Sequence, residues 1–270
     1  MRINELFEMA AGVKGLQYEK TVVSSVKHAI SNFSDQIKFL KLDCGSAGFC
    51  RFSVDLEMIV GQHPFNVEIK QNTKAQMGGT SVRYKDDKAE LVDVDRIDEV
   101  ARGLIISAVQ TKGTDIHKFF EFISKQDPVE INRQVNEKRS IPFVCTRNAW
   151  DAAKSSGLLK SLNAVVNFDN VDAITRGYNK KGVFYIQIGG AGLFYMNKNP
   201  LDLPIPQFEG SCQIRLRVAR GETRTLKNGA NVVTGQYRAI ANLLTKVSSS
   251  YSLDNPQQAE EVFQIALKNQ

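Results

Sequence analysis

Asp55-Leu56-Glu57-Met58-Ile59-Val60-Gly61-Gln62-His63-Pro64-Phe65-Asn66-Val67-Glu68-Ile69-Lys70 is the stretch from which the rest of the chain can be read. Residues 50–60 alternate apolar and polar for much of their length, 61–64 offer a turn, and 65–70 alternate again. Two alternating runs joined by a short turn containing Gly and Pro predict an antiparallel hairpin. Side chains repeat every second residue along a strand, so Glu68 and Lys70 fall on one face. The partner strand brings Asp55 beside Glu68 at one end of the sheet.

That juxtaposition has chemical consequences. Two carboxylates held together repel, and a hard divalent cation with oxygen ligands relieves the repulsion. Mg²⁺ suits such a site, because it keeps several waters and accepts one or two protein carboxylates plus substrate phosphate; Mn²⁺ is the expected substitute. Such a metal acidifies a bound water and offsets charge on a phosphorane-like transition state. Lys70 would orient that water or help deprotonate it. An acidic-x-Lys triplet alone arises about once or twice by chance in a chain this long. The second one here, Asp86-Asp87-Lys88, sits in a hydrophilic turn and reads as a solvated charge cluster. Judged on the triplet alone, a charged edge strand carrying Asp55, Glu57, Glu68 and Lys70 is the simpler explanation.

Working outward, residues 3–11 read as a short helix ended by Gly12 and Gly15. A second helix over 16–30 places Tyr18, Val22, Val26 and Ile30 on one stripe. After the hairpin come Gly78-Gly79, a strand over 81–84, a polar turn at 85–88, and helices over 95–110 and 115–125. Residues 127–140 are polar and charged, and are expected to be a linker or mobile loop. The later half is richer in strands: 141–146, 164–168, 183–188, 193–196 and 213–218, with a helix at 148–156 and a last amphipathic helix from about Gly235. The expected fold class is mixed α/β (α+β), a central mixed sheet flanked by helices with a β-rich C-terminal portion. The expected division is a core over 1–126, the 127–140 segment, and a completing part over 141–270.

The net charge of +6 makes a polyanionic partner plausible without identifying one. Cys44, Cys50, Cys145 and Cys212 form no CxxC pair, and with His28, His63 and His117 no zinc site arises at familiar spacing. Buried free thiols in a reducing compartment are expected. No secretion-signal pattern and no membrane-length apolar run are found, so a soluble cytoplasmic protein with no membrane association is expected.

The hairpin resembles the D…(D/E)xK hairpin of the PD-(D/E)xK nuclease superfamily, which includes restriction endonucleases, resolvases and phage nucleases. Gly15-Leu16-Gln17-Tyr18-Glu19 is similar to the Gly-x-x-aromatic-Glu entry to that family's first core helix. Residues 75–84, Ala75 through Gly78 to Tyr84, are similar to a segment that follows the motif in some phage members. The helix–hairpin–strand–helix order matches as well, and the resemblance spans residues 12–110. Val54 stands where the family often has proline. The resemblance implies a restriction-endonuclease-like core and a Mg²⁺-dependent DNA endonuclease. Its catalytic residues would be Glu19, Asp55, Glu68 and Lys70, and its metal ligands Asp55, Glu68 and Ile69. If the protein is phage-encoded, as the likeness suggests, its location would be the host cytoplasm.

Gln71 and Gln76 are candidates for contact with DNA or with water near the metal, and Glu57 for an accessory acid. Arg83 and Lys85 lie near the site in sequence and are expected to meet phosphate. In Gln213-Ile214-Arg215-Leu216-Arg217-Val218, the apolar residues face one way and Arg215 and Arg217 the other. A row of arginines so spaced suits backbone phosphates. Residues 178–195 also resemble later segments of phage endonucleases, though their aromatics (Phe184, Tyr185, Phe194, Tyr195) read as core. Rival readings are a structure-selective junction nuclease and an inactive DNA-binding protein on a nuclease fold. No Gly-rich phosphate loop or nucleophile elbow supports an unrelated metabolic enzyme. Double-strand cutting would favour a homodimer, for which no residue speaks.

Overall fold

In the computed structural model, the residues described are 3–33, 35–42, 54–92, 97–127, 140–226 and 229–270. The chain forms two compact units, each discontinuous in sequence. The first comprises Met1–Ala75, Asn170–Ser211 and Leu243–Gln270, and the second Gln76–Asp169 and Cys212–Asn242. They interleave in sequence rather than dividing at the expected 127–140 segment, because strands distant in sequence pair within each unit. Of the expected linker, 128–139 lie outside the described residues.

The first unit begins with helix α1 (Ile3–Ala29) and strands β1 (Ile37–Leu42), β2 (Leu56–Val60) and β3 (His63–Lys70). The expected hairpin is present: β2 and β3 are antiparallel with Leu56 opposite Val67 and Val60 opposite His63. Gly61 opens its turn at φ +58°, a backbone state that suits glycine. Strand β1 pairs with β2 on the other side. Two further strands, β8 (Tyr185–Ile188) and β9 (Gly192–Tyr195), complete a mixed sheet of order β1-β2-β3-β8-β9, in which only β3 and β8 run parallel. Every residue of β8 is buried, as befits a central strand covered on both faces.

Buried residues on β2 and β3 alternate cleanly: Leu56, Met58, Val60, Phe65, Val67 and Ile69 point into one core. Val22 and Val26 of α1 and Val262 and Phe263 of the last helix, α7 (Pro256–Lys268), close that core. Here two expectations are corrected. Helix α1 is continuous through Gly12 and Gly15 rather than broken there. A lone glycine weakens a helix by only about 1 kcal/mol, and the stripe Val22–Val26–Ala29 sinks into the core. The last helix also does not begin at Gly235. Residues Asn231–Leu243 form strand β11, where buried Tyr237 and Ala239 flank exposed Arg238 with the period of a strand. The helix starts instead after Asn255, whose side chain accepts from the backbone N–H groups of Gln257 and Gln258, with Pro256 in its first turn.

The second unit contains β4 (Gln76–Lys85), β5 (Lys88–Leu91), α2 (Glu99–Gln110), α3 (Gly113–Gln126), β6 (Phe143–Thr146), α4 (Arg147–Ser155), the short α5 (Leu158–Ser161), β7 (Ala164–Phe168) and β10 (Cys212–Thr225). Its antiparallel sheet has the order β5-β4-β11-β10-β7, with β6 also pairing with β11. Gly78 and Gly79 lie inside β4 rather than before it. The Asp86-Asp87 turn has φ of +49° and +60°, the left-handed pair that a tight hairpin needs. Asp87 accepts from Tyr84 at 3.0 Å and meets the His117 ring at 2.8 Å, so this acidic-x-Lys triplet is a structural turn tied to α3. Phe119, Phe120, Phe143 and Trp150 stack into the unit's core. Cys145 and Cys212 are buried and form no disulfide; Cys44 and Cys50 lie outside the described residues.

Candidate metal and catalytic centre

Asp55 stands one residue beyond the last paired position of β2, Leu56 opposite Val67, and the next residue of β3 is Glu68. One Asp55 carboxyl oxygen, Oδ2, accepts the main-chain N–H of Ile69 at 2.7 Å, which ties it to the end of β3. Alternation places Glu68 and Lys70 on the face of β3 opposite the core, and the Lys70 ammonium donates to Glu68 Oε1 at 2.5 Å. Their side chains are 17% and 13% exposed, so the pair is largely withdrawn from water.

Burial pushes the Asp55 carboxyl well above the carboxylate range. The neighbouring Glu68 charge raises it further, against the lowering effects of Lys70 and the Ile69 N–H. Glu19 is also raised, first by burial; Lys70 lowers it and Glu68 raises it. Its proton therefore responds to the same two charges, which brings helix α1 into the electrostatics of the hairpin end. Lys70 moves the other way. Burial alone would discharge it, but Glu68, Tyr178 and Asp55 hold it more firmly protonated than a free lysine. With Glu68 as partner it is a charge and a donor, which favours the first of its two expected roles, orienting a water, over deprotonating it.

Glu19 owes its place to its neighbour. The Tyr18 hydroxyl donates to Asp254 Oδ2 at 2.7 Å and accepts from Gln187 Nε2 at 2.9 Å. Gln187, wholly buried on β8, also donates to Ser252 at 2.8 Å and accepts the N–H of Leu253 at 2.9 Å. A buried amide so fully satisfied fixes α1 against the sheet.

Sequence reasoning missed Tyr178. It lies on helix α6 (Asp172–Asn179), is buried, and donates to Glu68 Oε1 at 3.3 Å, the same oxygen that takes Lys70. Two donors on one oxygen leave Glu68 Oε2 free of hydrogen bonds among the described residues, as is Asp55 Oδ1. Residue 178 was legible only as an aromatic in an apolar segment, since no local spacing relates it to Glu68. Tyr178→Phe is expected to weaken divalent-cation affinity roughly 10–100-fold, the usual effect of losing a group that orients a ligand; a Mn²⁺ titration followed by electron paramagnetic resonance measures it.

Gly189 closes the same end of the sheet. Its N–H donates to the Lys70 carbonyl at 2.8 Å, and a Cβ there would collide with the Gln71 carbonyl oxygen. Gly189→Ala is expected to lower stability by about 1–3 kcal/mol through overpacking, read as a lower unfolding midpoint in urea.

Glu19, Asp55, Glu68, Ile69, Lys70 and Gln71 all belong to the first unit; Gln76, Arg83, Lys85, Arg215 and Arg217 belong to the second. Glu57 pairs across the hairpin with Asn66. Tyr185 and Phe194 are core residues, as expected, and Phe184 and Tyr195 pack on the core. Among the described residues no group of three or more His, Cys, Asp or Glu side chains is placed to hold a metal. The donor set is therefore a pair of carboxylates with one free oxygen each, and Ile69 can add only its main-chain carbonyl. That set fits a cation that keeps waters, as Mg²⁺ does, and does not fit an all-protein cage. No family model, curated protein or solved structure matches the chain. No helix among the described residues is long and apolar enough to cross a membrane.

Proposed function

We propose that this protein is a divalent-metal-dependent hydrolase of DNA phosphodiester bonds, with Asp55, Glu68, Lys70 and Glu19 as its working residues. The observation that carries the reading is Asp55. A carboxyl desolvated and set beside a second carboxyl costs folding energy, and such arrangements cluster at functional sites. A structural ion pair alone would need only Glu68 and Lys70.

Asp55 and Glu68 would hold a Mg²⁺ or Mn²⁺, which would supply acidification of a water and neutralisation of phosphate charge. The chain's own groups do the rest. Lys70, kept protonated, donates to the attacking water or to a non-bridging phosphate oxygen and offsets developing negative charge. Glu19, whose carboxyl is raised by burial, holds its proton to higher pH than an exposed glutamate does, which suits a group that passes a proton. Tyr178 and Lys70 hold Glu68 in one rotamer, and the Ile69 N–H does the same for Asp55.

The test is a panel of supercoiled, linear, single-stranded and branched DNA, with RNA of matching sequence, incubated with the full chain in Mg²⁺ or in EDTA. Metal-dependent cutting of at least one DNA form is expected. No cutting of any DNA in Mg²⁺ or Mn²⁺ removes the proposal.

A further inference from the structure

The second unit presents a basic sheet face, and we infer that this face holds the phosphate backbone of DNA. Its sheet has one covered side. Helix α2 touches β5, β7 and β10, α5 touches β10, and the Tyr237 hydroxyl of β11 donates to the Leu162 carbonyl just after α5. Buried Val82, Tyr84, Ala89, Ile214, Leu216 and Tyr237 point to that side.

The positions that alternate with them face water. They are Arg83 and Lys85 on β4, Lys88 on β5, Arg238 on β11, and Arg215 and Arg217 on β10, every one exposed. Strand pairing sets Lys85 opposite Lys88 and Arg238 opposite Ser81, two residues along β4 from Arg83. The exposed acids of these strands are Glu90, opposite Arg83, and Glu222, farther along β10 from Arg217. Lys85 meets Asp86 of the turn at 3.8 Å. Among the described residues Arg83, Arg215, Arg217 and Arg238 make no ion pair.

Strands lie about 4.8 Å apart, so these four guanidinium groups on three adjacent strands concentrate positive charge on one face, where an anion would meet them. A repeating polyanion does so, and arginine forks suit its phosphates. The charge and geometry stand independently of the carboxylate centre; the choice of DNA as the occupant rests on the hydrolase reading.

The experiment is fluorescence anisotropy of the full chain with a labelled DNA duplex in EDTA across a salt series. The variant carries Arg83→Gln, Arg215→Gln, Arg217→Gln and Arg238→Gln. A control of equal charge change carries Lys118→Gln, Lys125→Gln, Lys154→Gln and Lys160→Gln on the unit's helices. Since each phosphate contact adds about 0.9 to the slope of log affinity against log salt, the face variant is expected to lose roughly three to four of slope and about 100-fold or more in affinity. The control is expected to keep its slope. An unchanged slope in the face variant, an equal loss in the control, or equally tight binding of polyglutamate overturns the inference. Should the fourfold variant unfold, the pair Arg215→Gln and Arg238→Gln is read the same way, with about half the change. Failure here is separable from failure of the hydrolase reading. Tight, face-dependent binding without cutting removes only the hydrolase, and cutting with binding indifferent to the face removes only this inference.

Discussion

Asp55→Asn is expected to leave the metal-free protein as stable as the wild type or more so near neutral pH, while abolishing divalent-cation binding. The asparagine oxygen can still accept the Ile69 N–H that Asp55 accepts at 2.7 Å. What disappears is a charge that burial and Glu68 disfavour. Because the folded carboxyl titrates above its unfolded value, the folded state holds its proton more tightly. The stability this gives is fully present below the unfolded pKa and is lost as pH rises through the folded pKa, up to about 7. Wild type and variant should therefore unfold alike near pH 4 and diverge toward pH 8, with the variant ahead by on the order of 1–3 kcal/mol. Thermal unfolding in EDTA at a series of pH values shows it. A variant that is less stable at pH 8 would mark Asp55 as a structural residue.

Lys70→Ala is expected to act in the opposite sense. Removing the ammonium leaves Glu68 partly buried, with Asp55 and Glu19 close enough to feel its charge. Breaking a buried pair by deleting one partner costs about 3–5 kcal/mol, most of it the stranded charge. The remaining exposure of the pair argues for the lower end of that range. A divalent cation supplies the missing positive charge, so Mg²⁺ should raise the unfolding temperature of Lys70→Ala more than that of the wild type. Equal shifts in both proteins would mean that the cation does not reach Glu68. Asp55→Asn removes charge and stabilises, and Lys70→Ala removes charge and destabilises. Only a cluster with surplus negative charge gives that pair of signs.

The hairpin was legible because its two signals are local. Alternation fixed the strands, and the register that sets Leu56 against Val67 follows from the turn at Gly61. Glu19 could be reached through its neighbour, since Tyr18 lies on the stripe of α1 that packs against the core. Tyr178 was beyond local reading, because 110 residues separate it from Glu68 and the long-range β3–β8 pairing closes that gap. The interleaved units were hidden for the same reason, since β4 pairs with β11 across more than half the chain. β11 itself was misread because Gly235 and the alanines weaken its alternation, and burial at Tyr237 and Ala239 shows only in the fold. That Glu68, Tyr178 and Asp55 hold Lys70 protonated against its burial is an electrostatic property that spacing cannot carry.

Single-turnover cleavage of supercoiled plasmid by the full chain and by Asp55→Asn, each in Mg²⁺ and in EDTA, reaches the proposed chemistry most directly. The expected result is nicking by the wild type that needs Mg²⁺ and falls by roughly 10²–10⁴-fold in the variant. Cutting that persists in EDTA, or that Asp55→Asn leaves undiminished, would contradict a metal-dependent centre at Asp55 and Glu68.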